Sequence, residues 1–277
     1  MKRLSAGLLI LFVVLLTPVF TGCDDYGRLG LVKIEGAIYD SEASQKILDD
    51  LKTFEEDNSI KGVLVAINSP GGGVATSQEI CEAIKRVKKA GKKVVASMSS
   101  VAASGGYYVA LPADKIVAMP GTMTGSIGVI LNFVVYKDLL NKFGIETHTV
   151  KSREFKDIGS GFRDPTVKDT LLLKSVIDDV YDQFLNEVVT SRNLPYDSVY
   201  AVADGRIMSG RQAYRYGLVD TLGTRDDAHK LLAELCGLAG KPKLVEIPRE
   251  LSFFEELMES KLGPLFMPSL RYELDLR

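Results

Sequence analysis

The chain has 277 residues, a formal net charge of −2, 46% apolar and 25% charged residues. Such a length holds one large domain or two small ones with an ample core, and so ordinary a balance excludes disorder as the default. Near-neutrality leaves no electrostatic footprint for nucleic acid, since short basic pieces such as 85–93 read as solvated helix ends.

At the N-terminus, Lys2 and Arg3 precede an apolar run over 8–16, and small residues lead to Cys23. A positive start, an apolar stretch and small residues make an export signal, which is set apart from the fold. Gly22-Cys23 is similar to a bacterial lipoprotein processing site, with Cys23 as the lipidated residue. The alternative is an uncleaved signal anchor, short for a span of roughly 20 residues. Both readings place the remaining chain outside the cytoplasmic membrane. Asp24 and Asp25, by their likeness to lipoprotein sorting signals, imply retention at the inner membrane.

Residues 29–39 read as a strand and 41–56 as a helix with Ile47, Leu48, Leu51 and Phe54 on one face. The continuous apolar run 62–68 is the pattern of a buried parallel strand, and it ends at Ser69-Pro70-Gly71-Gly72-Gly73. A helix over 74–90 has a basic last turn, which suits its dipole. Then come a strand over 93–98, a small-residue turn over 99–104, a short helix from 105 and a strand over 115–118. A Gly/Thr/Ser loop over 121–130 leads into a strand, 136–143 is helical and 145–150 is another strand. A long amphipathic helix over 165–192 is followed by helices near 196–203, 209–216 and 226–238 and a strand over 243–247. The β and α alternation argues for parallel strands with crossover helices. The division expected is an anchor over 1–23, one domain over 24–248 and a C-terminal arm over 249–277. The stretch 250–262 has an apolar face that packs on a neighbouring copy, joins the core or lies on a membrane, with nothing to rank these.

Only two histidines are present, His148 in a predicted strand and His229 on a surface-type helix. A Ser-His-Asp triad needs its imidazole at the serine, and lysine is the known substitute base. Ser104 sits at a strand-to-helix junction among small residues, as a nucleophile or merely as a helix N-cap. The glycines after Ser69 read as oxyanion donors, as a phosphate cradle or as a plain turn. The cradle lacks the Lys-Ser/Thr of a P-loop. Cys81 and Cys236 either pair or remain free, and no spacing suggests a metal site.

Six motifs occur in order. They are Asn68-Ser69-Pro70-Gly71-Gly72-Gly73; Ala103-Ser104-Gly105-Gly106-Tyr107-Tyr108; Ala113-Asp114-Lys115-Ile116-Val117-Ala118; Gly125-Ser126-Ile127-Gly128-Val129; Phe155-Lys156; and Gly210-Arg211-Gln212-Ala213 with Gly217-Leu218-Val219-Asp220. Together, over residues 29–238, they resemble the signal peptide peptidase A family, serine peptidases of the Clp-protease/crotonase fold. The resemblance implies an α/β chain with a repeated ββα/βαβ core and flanking helices. It implies Ser104 as nucleophile, Lys156 as general base and Ser126 as the residue that orients the lysine. Backbone groups at Gly71 and Gly72, with Gly105, would hold the oxyanion. Phe155 stands where the family more often has tyrosine, and Lys151 is the nearest competitor for the base. It further implies no cofactor or metal, and apolar extended substrates such as leftover signal peptides. A ring of identical subunits is implied too, with the catalytic domain on the extracytoplasmic face of a bacterial cell membrane.

A free lysine titrates near about 10.4, and a base working near neutrality must come down by about three units, roughly 4 kcal/mol. Burial supplies that. The expected surroundings of Lys156 are therefore dry and apolar, with the Ser104 and Ser126 hydroxyls as neutral partners and Glu154 and Asp157 turned away. Two rivals stand beside this reading. One is an acyl-CoA enzyme on the same fold, for which no catalytic Glu is evident after the glycine loop. The other is an inactive scaffold.

Overall fold

The computed structural model describes residues 27–248, so the expected export signal, Cys23 and the C-terminal arm lie outside the described residues. The first half alternates β1 (Arg28–Glu35), α1 (Glu42–Glu56), β2 (Ile60–Ser69), α2 (Val74–Lys89) and β3 (Lys93–Ala103). Next come α3 (Gly105–Tyr108), β4 (Lys115–Ala118), β5 (Met123–Gly125) and α4 (Lys137–Lys142). A 3-10 turn (Glu154–Asp157) precedes α5 (Val167–Arg192) and α6 (Tyr196–Tyr200). The last elements are β6 (Ile207–Ser209), α7 (Gly210–Arg215), β7 (Thr221–Leu222), α8 (Arg225–Leu235) and β8 (Leu244–Val245).

The strands form one sheet in the order β6-β5-β3-β2-β1-β8, with β4 bridging β3 and β7. Every pairing is parallel except β5 with β6. The apolar run of β2 is continuous because helices cover both faces of the sheet. Val63, Val65 and Ile67 face the main core with α1 and α2, whereas Leu64 and Ala66 meet Leu232 and Ala233 of α8.

The feature that places the site is a fork in β3. Its first half, Val95 to Met98, pairs with β4, and its second half, Val101 to Ala103, pairs with β5. Thr122 Oγ1 donates to Ser99 O (2.7 Å) and Thr124 Oγ1 to Ala102 O (2.6 Å), tying the second branch to β3 with buried hydroxyls. The turn expected over 99–104 is thus strand as far as Ala103, with only Ser104 turning, because β5 supplies a partner that small residues alone do not announce. The strand expected over 145–150 is absent. Among the described residues no neighbour pairs with it, and all its residues are exposed. His148 is therefore in an exposed irregular segment, and His229 is buried rather than solvated, 5% exposed on the sheet side of α8. Cys81 and Cys236 are free thiols, and burial pushes Cys81 up to about 12.

Candidate active site

Ser104 lies where β3 turns into α3, with φ 52° and ψ −122°. Positive φ is uncommon for a side chain other than glycine and persists only where surroundings enforce it. Its N–H donates to Gly125 O (2.9 Å), and its carbonyl accepts from the N–H groups of Tyr107 and Tyr108 (both 2.9 Å). An N-cap has extended backbone and a side chain that accepts from the helix. Ser104 has neither, so the cap reading fails, and the residue borders the cavity.

Beside it, the glycine loop is packed backbone against backbone. Gly71 has φ 96°, and a Cβ there would lie 2.5 Å from Gly105 N. A Cβ on Gly72 would lie 2.0 Å from Ile38 O. Ile38 N–H donates to Gly71 O (2.9 Å) and Gly73 N–H to Ile38 O (2.6 Å). Backbone groups alternate in direction along an extended chain, so Gly72 N–H points away from Ile38, toward Ser104. Among the described residues neither Gly72 N–H nor Gly105 N–H has an acceptor, and both glycines border the cavity beside Ser104. Gly71 differs from the expectation, because its N–H donates to Ser69 Oγ (3.1 Å). It closes the loop, and the free pair is Gly72 with Gly105.

Ser126 also has positive φ, 51°, and its N–H donates to Arg206 O (2.8 Å). Among the described residues only one other non-glycine residue has positive φ, Asn193 at the end of α5, where asparagine is an ordinary helix stop. Both serines border a cavity of about 890 Å³, walled by Tyr39, Ile177, Tyr181 and Tyr200. A small apolar recess of about 30 Å³ adjoins Ser104, between Val74, Tyr108, Val129 and Phe184. Tyr108 and Val129 belong to the motifs around the two serines, whereas the sequence did not point to Tyr39, Val74, Ile177, Tyr181, Phe184 or Tyr200 as wall residues, since they come from distant segments with no shared pattern. The described residues hold no group of three His, Cys, Asp or Glu placed for a metal.

Lys156 is on the 3-10 turn, within a segment over 130–163 where only Gly161 is buried. It is exposed and does not border the cavity, so within this single chain it is not brought to Ser104 or Ser126. The dry surroundings expected for it are missing among the described residues, where no element covers the turn. The neighbouring carboxylates pair with other cations. Glu154 pairs with Lys168 (2.8 Å), and Asp157 accepts from Lys151 (2.7 Å) and Arg163 (2.9 Å). Lys151 also donates to Glu154 O (2.9 Å), so it is engaged, whereas Lys156 has no ion pair among the described residues.

The family model described as Peptidase family S49 matches residues 86–239, and that of Clp protease matches 24–124. A Synechocystis sp. protein named as a protease is 42% identical, over 79% of this chain and 78% of its own. An Enterococcus faecium protein named as a signal peptide peptidase SppA is 41% identical, over 66% of this chain and 54% of its own. A chloroplastic serine protease SPPA of Arabidopsis thaliana is 32% identical over 74% of this chain, which spans 31% of that longer protein. The likeness to solved structures is looser. A ClpP1 mutant from Listeria monocytogenes superposes with a TM-score of 0.49 at 20% identity, over 72% of this chain and 93% of that one.

Proposed function

Because the chain belongs to peptidase family S49 and is a serine peptidase of Clp-protease-like α/β fold, we propose that Ser104 is its nucleophile and Lys156 its general base. The observation that carries this reading is the meeting of a strained, uncapped serine with two unused backbone donors at one cavity. Ser104 Oγ attacks the peptide carbonyl while the lysine amine takes its proton. The N–H groups of Gly72 and Gly105 receive the oxyanion. The lysine then protonates the leaving amine, and water releases the acyl-enzyme. Ser126, held over the same cavity, orients the amine.

The exposure of Lys156 bears on assembly. The segment over 130–163 leaves Ile130 (82%), Val134 (75%), Phe143 (73%) and Val150 (100%) uncovered. Apolar surface of this kind is what a subunit contact covers. A ring of copies would dry the turn and set Lys156 of one copy against Ser104 of the next. Mixing Ser104→Ala protein with Lys156→Ala protein tests this. Exchange of subunits restores part of the activity, because some contacts then carry an intact serine facing an intact lysine. Two inactive preparations that stay inactive on mixing, while each assembles normally and their subunits exchange, would sink the shared dyad.

Substrates in this reading are apolar extended segments such as signal peptides left after export, taken at the bacterial membrane with the peptidase domain on the extracytoplasmic face. Among the described residues no helix is long and apolar enough to cross a membrane; the anchor in this reading is the apolar segment within residues 1–23. The recess beside Ser104, between Val74, Tyr108, Val129 and Phe184, favours an apolar side chain. Cleavage of a synthetic signal peptide by full-length protein in vesicles, against a polar control peptide, tests the preference.

A further inference from the structure

The turn that carries Lys156 is held by charge rather than by packing. Asp157 is bound on one side by Lys151 and on the other by Arg163, whose guanidinium also grips Asp169 through two contacts (2.5 and 3.1 Å). Asp169 is the third residue of α5. Its carboxylate accepts from Thr166 N–H (2.8 Å), and its own N–H donates to Thr166 Oγ1 (3.1 Å), a reciprocal helix cap. α5 then runs on to supply Ile177 and Tyr181 to the cavity wall. A second tether, Glu154 with Lys168, joins the same turn to the same end of α5.

Only 3% of the Asp169 side chain is exposed, in a region with almost no buried apolar residue. Burying a carboxylate and a guanidinium is costly, and apolar contacts hold a loop more simply. A chain of ion pairs does something packing does not, since it fixes where the charges near Lys156 go. The charged groups on the neighbouring segments are Lys151, Arg153, Glu154 and Asp157 beside it, Arg163 and Asp164 after it, Lys137 from α4, and Lys168 and Asp169 from α5. Asp164 is taken by Lys137 (2.8 Å) and Glu154 by Lys168, leaving Asp157 as the carboxylate to be controlled.

We propose that Lys151, Asp157, Arg163 and Asp169 form a positioning chain for Lys156. It sets the turn on the first turn of α5 and keeps the adjacent carboxylate balanced, so that the base meets no net counter-charge. This rests on Lys156 being the base. The signs follow from charge: two positive and two negative groups cancel, and losing either cation leaves an excess negative charge that favours a protonated lysine.

The test is the pH profile of kcat/KM for a peptide substrate, measured on full-length assembled protein. Arg163→Gln and Lys151→Gln each move the acid limb upward by about one pH unit, and activity recovers at higher pH. Asp157→Asn moves the limb downward. The double variant Arg163→Gln/Asp157→Asn returns it to near the parent position. A chain that is only structural would lower activity by one factor at every pH, leave the limb in place and gain nothing from the second change; that outcome overturns the proposal. Where Arg163→Gln fails to fold, judged by its melting transition, Lys151→Gln and Asp157→Asn carry the same signs alone. Lys156→Ala separates the two claims. Activity lost there with an unmoved limb in the charge variants overturns the positioning chain alone, and activity retained there overturns both.

Discussion

The two halves of the proposed dyad are built in opposite ways. The nucleophile sits at the end of a strand inside the sheet, with its backbone held by Gly125, Tyr107 and Tyr108 and its neighbours buried. The base sits on a turn whose surroundings are exposed and whose contacts are ion pairs. A serine nucleophile needs its position fixed to within about 0.5 Å relative to the oxyanion donors, and close packing gives that within one chain. A lysine needs loss of water, which the surface of a single chain does not give. The geometry is thus local to the fold, while the environment of the base has to come from elsewhere.

The strongest way to break this contrast is to remove each half in turn. Ser104→Ala and Lys156→Ala each lower kcat by about 10⁴-fold or more, with circular dichroism unchanged. A Lys156→Ala enzyme with near-parent turnover would leave the exposed half without a role. Next in size is Gly72→Ala, whose methyl meets Ile38 O and displaces one oxyanion donor. It lowers kcat by about 10²- to 10³-fold with a lesser change in KM. Stability separates the halves as well. Leu64→Ala, at a fully buried position between sheet and α8, costs about 2–5 kcal/mol in a urea melt. Val150→Ala, fully exposed in the isolated subunit, stays within about 0.5 kcal/mol.

The smallest expected effect is on pH. Arg163 holds the carboxyls of Asp157 and Asp169 well below the usual carboxylate range. A depressed folded-state pKa contributes stability above the unfolded value, about 3.9 for Asp, and that contribution is lost as pH falls through the folded value. Amide exchange over 151–169 therefore accelerates on acidification below about pH 4, relative to its trend with intrinsic chemistry, while the amides of β2 keep their protection. Equal loosening of both would remove the contrast.

The sequence made the buried half legible and misled on parts of the other. β1 to β4, α1 and α2 were readable because each carries a full apolar period that only one packing satisfies. β6 and β7 were not, being two or three residues long and defined by their neighbours across the sheet. At 145–150, β-branched Thr147, Thr149 and Val150 announced a strand, but propensity without a pairing partner leaves an exposed segment. Ser104 and Ser126 were located by motif, while their shared backbone strain has no sequence signal. Gly71 illustrates the limit, since which of three glycines keeps a free N–H depends on the Ser69 hydroxyl and on the direction of Ile38. The hold of Arg163 on Asp157 and Asp169 crosses six residues in each direction and follows no helical spacing.

The left-handed backbone at 104 and 126 bears on what becomes of a copy that no longer needs to cut peptides. At both places glycine adopts that conformation without strain, which relieves about 1–3 kcal/mol against about 0.5–1 kcal/mol of extra backbone entropy lost on folding. Ser104→Gly is thus at once inactivating and favourable to folding. Once catalysis stops being selected, drift has a downhill direction at these two positions. A paralogue that has become a scaffold would carry its history there, as glycine in place of serine, before its core shows any change.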